Sequence, residues 1–345
     1  MDHSSPPSGG AAGLSQATIL RRLISEQTIA IPGAPMALVA KLIEREGFQA
    51  MYLSGAVLSA GVHAVPDIGL IELDQLAAHT RILSAAADLP LVVDADTGFG
   101  GPQEVEECVR VLEAAGAAAI QLEDQKGAAS GTGGTKRCGH LAGKQVVSVS
   151  EMVEKVAAAR AGCRNPDTVI IARSDARGVA GLDDALARLH AYRDAGADWL
   201  FPEAPRDREE FARIGREFAD EAPLLANMTE FGVGPLLTVD ELSDLGYAAV
   251  LFPVTLMRVA MQAMHAALAV IGDEGTQESL LDLMQTREEL YELLDYDPAD
   301  PQVWLAAHSN WLAAHSNRLA AHSNRLATHS NRLDRQPRTA PRGDA

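Results

Sequence analysis

From residue 28 to residue 253 the chain repeats one rhythm, a short apolar run followed by a longer amphipathic stretch, and this alternation constrains its fold more than any single motif. The apolar runs lie at 29–31, 50–53, 91–93, 119–122, 169–172, 199–201, 224–226 and 249–252. Runs this short, without polar alternation, read as strands covered on both faces. The stretches at 36–46, 73–87, 104–115, 150–161, 182–195 and 208–219 carry apolar residues three and four apart and read as helices. Strands alternating with helices imply a parallel sheet, and eight such units in roughly 230 residues predict an α/β protein of the (β/α)8 TIM-type barrel class. Gly47, Gly116, Gly196 and Gly246 stand where a helix must stop before the next strand, a position that favours a left-handed residue. A doubly wound sheet would carry GxGxxG or GxxxxGK(S/T) after an early strand, and neither occurs.

Past the eighth strand, 255–271 and 276–294 predict two extra C-terminal helices. The expected division is a flexible tail over 1–18, a catalytic domain over 19–300 that includes those helices, and a low-complexity tail over 301–345. That last tail repeats (W/R)LA(A/T)HSN at 304–310, 311–317, 318–324 and 325–331. His308, His315, His322 and His329 stand where the second apolar residue of a coiled-coil heptad belongs. Seven helical residues separate neighbouring imidazoles by about 10 Å, too far to share one ion. A polar tail with little structure is the expectation.

Charge narrows the partners. The 345 residues hold 29 Lys plus Arg against 47 Asp plus Glu, a formal charge of −18, and nucleic-acid affinity depends on basic residues displacing counterions. No nucleic-acid partner is expected. Only Lys41, Lys126, Lys136, Lys144 and Lys155 are lysines, against 24 arginines, and with the acidity this reads as adaptation to strong salt, which screens self-repulsion. No run reaches the ~18 apolar residues of a membrane span, and residues 1–12 lack the basic start and apolar core of a signal peptide. Cys108, Cys138 and Cys163 form neither a disulfide framework nor a CxxC site. A cytoplasmic protein with free thiols and no membrane partner is expected.

In such a barrel the chemistry sits at the carboxyl ends of the strands. There the sequence places Ser54-Gly55, Asp94-Ala95-Asp96, Glu123-Asp124, Arg173-Ser174-Asp175, Glu203 and Asn227-Met228-Thr229. One aspartate after a strand is ordinarily a helix cap, but Asp94, Asp96 and Glu123 come from neighbouring strands and would converge. Sparse oxygen ligands suit Mg2+, or Mn2+, with waters and substrate completing the octahedron. Arg173 and Arg258 offer planar two-point donors, which point to an anionic substrate. Cys138 lies within Lys136-Arg137-Cys138-Gly139-His140, behind a Gly/Ser/Thr-rich stretch at 127–135. Two cations and an imidazole favour its thiolate, drawing its pKa below the ~8.5 of a free thiol and suiting it to move a proton near neutrality. The glycine-rich lead-in suits a closing lid, whereas Cys108 and Cys163 read as helix filler.

Taken together, Tyr52-Leu53-Ser54-Gly55, Pro66-Asp67-Ile68-Gly69, Val93-Asp94-Ala95-Asp96-Thr97-Gly98-Phe99-Gly100, Leu122-Glu123-Asp124-Gln125, the Lys136 to His140 motif, Phe201-Pro202-Glu203-Ala204, Asn227-Met228-Thr229-Glu230-Phe231-Gly232 and Met284-Gln285-Thr286-Arg287 resemble the isocitrate lyase and phosphoenolpyruvate mutase superfamily over about residues 20–296. The resemblance is closest to its short methylisocitrate lyase-like branch. It implies a barrel whose terminal helices swap between subunits of a homotetramer, acting on a small di- or tricarboxylate. By motif match, Asp94 and Asp96 would hold Mg2+, with Glu123 and Asp67 assisting through water or outer hydrogen bonds. Ser54, Gly55 and Ala56 would cradle a substrate carboxylate, helped by Gly139, His140, Arg173, Glu203, Asn227, Thr229, Arg258 and Arg287. The implied chemistry is a retro-aldol-type cleavage in which the metal lowers the pKa of the substrate hydroxyl. Cys138, as catalytic acid/base, would protonate the succinate carbanion. Glu203 is assigned as the base for the hydroxyl.

Two departures from the branch pattern stand out. The linker between Gln125 and Lys136 is several residues longer, and Ala56 stands where methylisocitrate lyases tend to carry a second glycine. Bulk at the cradle disfavours a substrate with an added methyl, although one methyl is worth only ~1 to 3 kcal/mol of discrimination. The expected activity is therefore isocitrate lyase, giving succinate and glyoxylate for the glyoxylate bypass, with 2-methylisocitrate lyase, giving succinate and pyruvate, as the alternative. A reading of a different class, a catalytically inactive assembly protein using the heptad tail, is opposed by the complete site.

Overall fold

The computed structural model describes residues 14–127, 136–137 and 140–309. Its first elements are α1 (Gln16–Glu26), β1 (Ile29–Pro32), α2 (Ala37–Arg45), β2 (Met51–Leu53), α3 (Gly55–Val57), α4 (Leu73–Ala86), β3 (Leu91–Asp94), α5 (Pro102–Ala114) and β4 (Ala119–Glu123). Then follow α6 (Val149–Gly162), β5 (Val169–Ser174), α7 (Arg177–Ala180), α8 (Leu182–Asp194), β6 (Trp199–Pro202), α9 (Arg208–Phe218), β7 (Leu225–Asn227), α10 (Val239–Asp244), β8 (Ala249–Phe252) and α11 (Thr255–Glu274). All the expected strands form, and every ladder between them is parallel. The ladders make two sheets, β2-β3-β4-β5-β6 and β1-β8-β7. Strand order is that of a barrel, but continuous pairing does not close it as the sequence predicts. At the β1/β2 and β6/β7 seams single parallel bridges, Gly33 to Tyr52 and Leu200 to Leu224, join the sheets. Each seam involves a strand of only three residues, β2 or β7, and β1 ends at Pro32, which has no N–H to donate.

Strand residues alternate between two apolar layers, as a period of two requires. Ile29, Ile31, Tyr52, Val92, Ala119, Ile171, Trp199, Phe201, Leu225 and Leu251 share one inner cluster. Their neighbours Leu53, Val93, Ile120, Ile170, Leu200 and Val250 pack with helix residues in the other. Ala17 and Leu20 of α1 join the inner cluster beside Ile29, Ala50 and Ala118, at the strand amino ends. That end is plugged, and the carboxyl end is left for chemistry. The glycine stops form as expected, Gly47, Gly116, Gly196 and Gly246 having φ of +81°, +103°, +109° and +89°.

Contacts divide the chain into Met1–Asp282 and Leu283–Ala345. The helix expected over 276–294 is interrupted, a 3-10 helix at Glu278–Leu283 being followed by α12 (Arg287–Leu293). Thr286 Oγ1 accepts the Glu289 N–H at 3.1 Å and Glu289 accepts the Thr286 N–H at 2.6 Å, a capping box that starts a new helix. α13 (Pro301–Ala307) carries the start of the first heptad copy, with Trp304 stacked on His308. The other three copies lie outside the described residues.

Candidate active site

Asp94 ends β3, and the chain then turns through Asp96, whose φ of +54° is left-handed, a conformation aspartate tolerates better than most residues. Asp94 Oδ2 accepts the Gly55 N–H and Oδ1 the Asp96 N–H, both at 3.1 Å. A Cβ on Gly55 would lie 3.1 Å from Asp94 Oδ2, so a bare residue is what lets the start of α3 approach β3. Glu123 ends β4, and one oxygen each of Asp94, Asp96 and Glu123 lie within 4.8 Å of one another. Both Glu123 oxygens are buried without a hydrogen bond, although Arg173 Nη1 lies 3.1 Å from Oε2. Burial pushes the Glu123 carboxyl well above the usual carboxylate range against the pull of Arg173, and it pushes Asp94 up against Lys136 and Arg173. Buried, acceptor-only oxygens of this kind fit a hard divalent cation, which would relieve both shifts.

Of the cationic motif, Lys136, Arg137 and His140 are described. Lys136 Nζ pairs with Asp67 Oδ1 at 2.9 Å and also with Asp96, so its ammonium faces the acidic cluster. The Gln125 carboxamide accepts the Arg137 N–H at 3.0 Å and donates to the Arg137 carbonyl at 2.8 Å, tying the start of the motif to the end of β4. Cys138 and Gly139 lie outside the described residues. His140 Nδ1 accepts the Val233 N–H at 3.1 Å, which leaves the proton of the neutral ring on Nε2, 3.3 Å from Glu203 Oε1.

Arg173, near the end of β5, reaches Glu203 Oε1 with Nη2 at 3.4 Å. Asn227 at the end of β7 donates its Nδ2 to the two Glu203 oxygens at 3.3 and 3.2 Å. Burial alone would raise the Glu203 carboxyl, but Arg173, then His140 and Lys144, hold it down at about 2. Of the residues expected to bind substrate, Ser54, Ala56, His140, Arg173, Asn227, Thr229 and Arg258 line one cleft together with Asp67, Asp94 and Glu203. Arg258, on α11, has its Nε 3.6 Å from Glu230 Oε2 and its guanidinium 5.5 Å above the Phe231 ring. Arg287 opens α12 in the second compact unit. Sequence reasoning missed Gln121, buried in β4, whose Nε2 donates to Asp94 Oδ1 at 3.2 Å while Oε1 accepts the Tyr52 hydroxyl at 2.8 Å. Its signal was a single polar residue inside an apolar strand.

The family model described as phosphoenolpyruvate phosphomutase matches residues 20–271. A 2-methylisocitrate lyase of Aeropyrum pernix is 46% identical over 302 residues, 85% of this chain and 94% of its own length. A probable 2-methylisocitrate lyase of Corynebacterium glutamicum is 49% identical over 77% of this chain and 85% of its own. Among solved structures, 2,3-dimethylmalate lyase, described as a PEP mutase/isocitrate lyase superfamily member, is similar with a TM-score of 0.77 at 32% identity, covering 86% of this chain and 96% of that one. The expected isocitrate lyase activity is corrected by these relatives, which carry the name of its alternative. The expectation rested on the methyl of Ala56, which is only half-buried and shares the cleft with Leu251, Pro253 and Val254. An apolar flank of that kind receives a substrate methyl as readily as it excludes one. The chain belongs to the phosphoenolpyruvate mutase/isocitrate lyase superfamily.

Proposed function

We propose that the chain is a 2-methylisocitrate lyase, cleaving its substrate to succinate and pyruvate. The observation that carries this reading is the acidic cluster of Asp94, Asp96 and Glu123 set beside Arg173, with Asp94 and Arg173 lining a cleft that Arg258 also lines. Asp94 and Asp96 would hold Mg2+, or Mn2+, with Glu123 and Asp67 supporting it. When bound, that ion supplies Lewis acidity that lowers the pKa of the substrate hydroxyl. Arg173 and Arg258, with the backbone at Ser54, Gly55 and Ala56 and the groups of Gly139, His140, Asn227 and Thr229, hold the carboxylates of the substrate. The substrate hydroxyl gives its proton to solvent, and as the carbonyl of pyruvate forms the carbon-carbon bond breaks and its electron pair passes to the succinate fragment. Cys138, by its place in the Lys136 to His140 motif, gives that carbanion its proton.

Glu203 suits the role of hydroxyl base poorly, because a carboxylate held at about 2 has little proton affinity near neutrality. It serves instead to orient His140, Asn227 and Arg173, all of which it contacts. A cytoplasmic homotetramer belongs to the same proposal. What supports assembly is α11, which buries none of its residues and leaves Val259, Met261, Met264, Leu268 and Ile271 exposed. By length and a mean hydropathy of 1.3 that helix also meets the requirement for a membrane span, but its Arg258 lines the cleft, which fits a subunit contact better than a bilayer.

The test is product identification with purified protein and Mg2+, supplying 2-methylisocitrate and isocitrate separately. Pyruvate released from 2-methylisocitrate with the larger kcat/KM is the expected result. Glyoxylate formed from isocitrate at equal or greater efficiency overturns the proposal.

A further inference from the structure

Asp175 is a fully buried carboxylate that the chemistry above does not use. It follows β5 directly, and its side chain takes two cations. Oδ2 accepts Arg173 Nε at 3.0 Å, while Oδ1 accepts Arg173 Nη2 at 3.2 Å and Lys144 Nζ at 2.8 Å. Its backbone is fixed as well. The Asp175 N–H is donated to Asp124 Oδ1 and the Ser174 hydroxyl to Asp124 Oδ2, each at 2.8 Å. Asp124 Oδ2 in turn accepts the Tyr192 hydroxyl at 2.8 Å. The carboxylate of Asp175 is therefore set in place independently of any ligand.

A guanidinium offers a carboxylate two edges for paired hydrogen bonds, one through Nε and a terminal nitrogen, the other through both terminal nitrogens. Asp175 holds the first edge of Arg173. The terminal nitrogens are left directed at Glu123, 3.1 Å from Nη1, and at Glu203, 3.4 Å from Nη2, where Arg173 lines the cleft. Burial works against the charge on Arg173, and Asp175 leads the carboxylates that keep it protonated, ahead of Glu123, Glu203 and Asp94. Lys144 lies just beyond His140 in the chain, and its side chain is buried on Asp175. One carboxylate thus joins the anion-binding arginine to the segment that carries His140.

We propose that Asp175 is a positioning residue of the lyase. It grips the Nε edge of Arg173 and so fixes the terminal nitrogens, which Glu123 and Glu203 also approach, at the cleft where a substrate carboxylate would reach them, and it ties them through Lys144 to the chain leaving His140. This rests on the proposed lyase activity, and the experiment separates the two.

In the full-length protein, Asp175→Asn keeps the shape of the side chain and removes its charge. Three quantities are read, namely the succinate Kd by calorimetry, kcat and KM for 2-methylisocitrate, and the Tm. A positioning role predicts that the succinate Kd and KM rise together by about tenfold, the loss of one charge-assisted hydrogen bond. A merely structural role lowers Tm and the active fraction, hence apparent kcat, and leaves Kd and KM where they were. Lys144→Met, which frees one side of Asp175 and spares its grip on Arg173, is measured alongside and decides the matter if Asp175→Asn does not fold; a severalfold rise in Kd is expected. Folded variants with Kd and KM within about twofold of the parent overturn the proposal. A parent that binds succinate but releases no pyruvate sinks the lyase reading alone, and the Kd comparison still decides the role of Asp175. A parent that binds no succinate overturns both.

Discussion

Gln121 makes two hydrogen bonds beneath the acidic cluster, and at that residue packing and polarity separate cleanly. Gln121→Leu preserves bulk but strips a partner from the Tyr52 hydroxyl and another from Asp94 Oδ1. Asp94 Oδ1 keeps the Asp96 N–H, but the Tyr52 hydroxyl is left unpaired, which costs about 1–3 kcal/mol, so the unfolding free energy measured in urea should fall by an amount of that order, and an unchanged value would refute the account of Gln121. The carboxylates above it carry a second prediction. A carboxyl whose pKa is raised on folding contributes stability at low pH and loses it as pH climbs from the unfolded value through the folded one. Asp94 and Glu123 are of that kind. A divalent cation offsets the loss, so the gain in Tm from Mg2+ should be larger at the higher of two pH values than at the lower, and should disappear in Asp94→Asn. Equal gains at the two pH values would argue against these two groups as the ion's seat. Glu203 has the opposite sign, its pKa being depressed to about 2. Its contribution is complete above the unfolded carboxylate value and is lost as pH falls towards 2, so Glu203→Gln should flatten the acid side of the stability profile. Asp94, Asp96, Glu123 and Arg173 were legible in the sequence because a residue that ends a parallel strand has only one place to be. The contacts of Lys136, Gln121 and Asp175 were not: the sequence shows Lys136 in its motif, Asp175 at a strand end and Gln121 as a lone polar residue in an apolar strand, but what each one touches crosses between loops and strands and leaves no local pattern.

At the scale of elements, α1 tests the division of the barrel into a structural end and a chemical end. Leu20 is fully buried among strand amino ends. Leu20→Ala should therefore cost about 2–5 kcal/mol while leaving KM unchanged, since the cleft lies at the carboxyl ends. Chemical denaturation and steady-state kinetics check the two halves, and a raised KM would show that the ends are coupled. The strands themselves could be found from the sequence because each is a short unbroken apolar run between amphipathic stretches, and the helix stops because glycine marks them. Two features lay beyond that signal. The break before α12 is easily missed by periodicity, since the apolar residues at 280–284 and 290–294 stand seven and ten apart, in phase with one helix, although five polar residues separate them and the Thr286 and Glu289 capping box restarts the helix there. The seams at β1/β2 and β6/β7 depend on how far short strands reach towards their neighbours, which apolar patterning does not encode.

For the whole molecule the dominant quantity is the charge of −18. If the heptad copies serve catalysis, removing them matters; if not, truncation after Asp300 should leave kcat/KM intact, which is the outcome expected because the cleft is built from residues up to Arg258 in the first compact unit. Loss of turnover on truncation would give the tail a place in the site or its assembly. Salt should act more broadly. At about 0.01 M ionic strength charges interact over ~30 Å, whereas at 1 M they interact over only ~3 Å. Raising salt therefore removes the mutual repulsion of the excess carboxylates, a repulsion that disfavours the compact state. It also weakens exposed ion pairs such as Arg22 with Glu26 and Arg208 with Glu241, but pairs of that kind contribute only ~0 to 1 kcal/mol each. The two effects oppose one another, and with carboxylates so far in excess the repulsion should be the larger. Tm is accordingly expected to rise steadily from dilute buffer to molar KCl, and a Tm that falls over that range would show that surface pairing outweighs net charge and would remove the argument that this composition is an adaptation to salt.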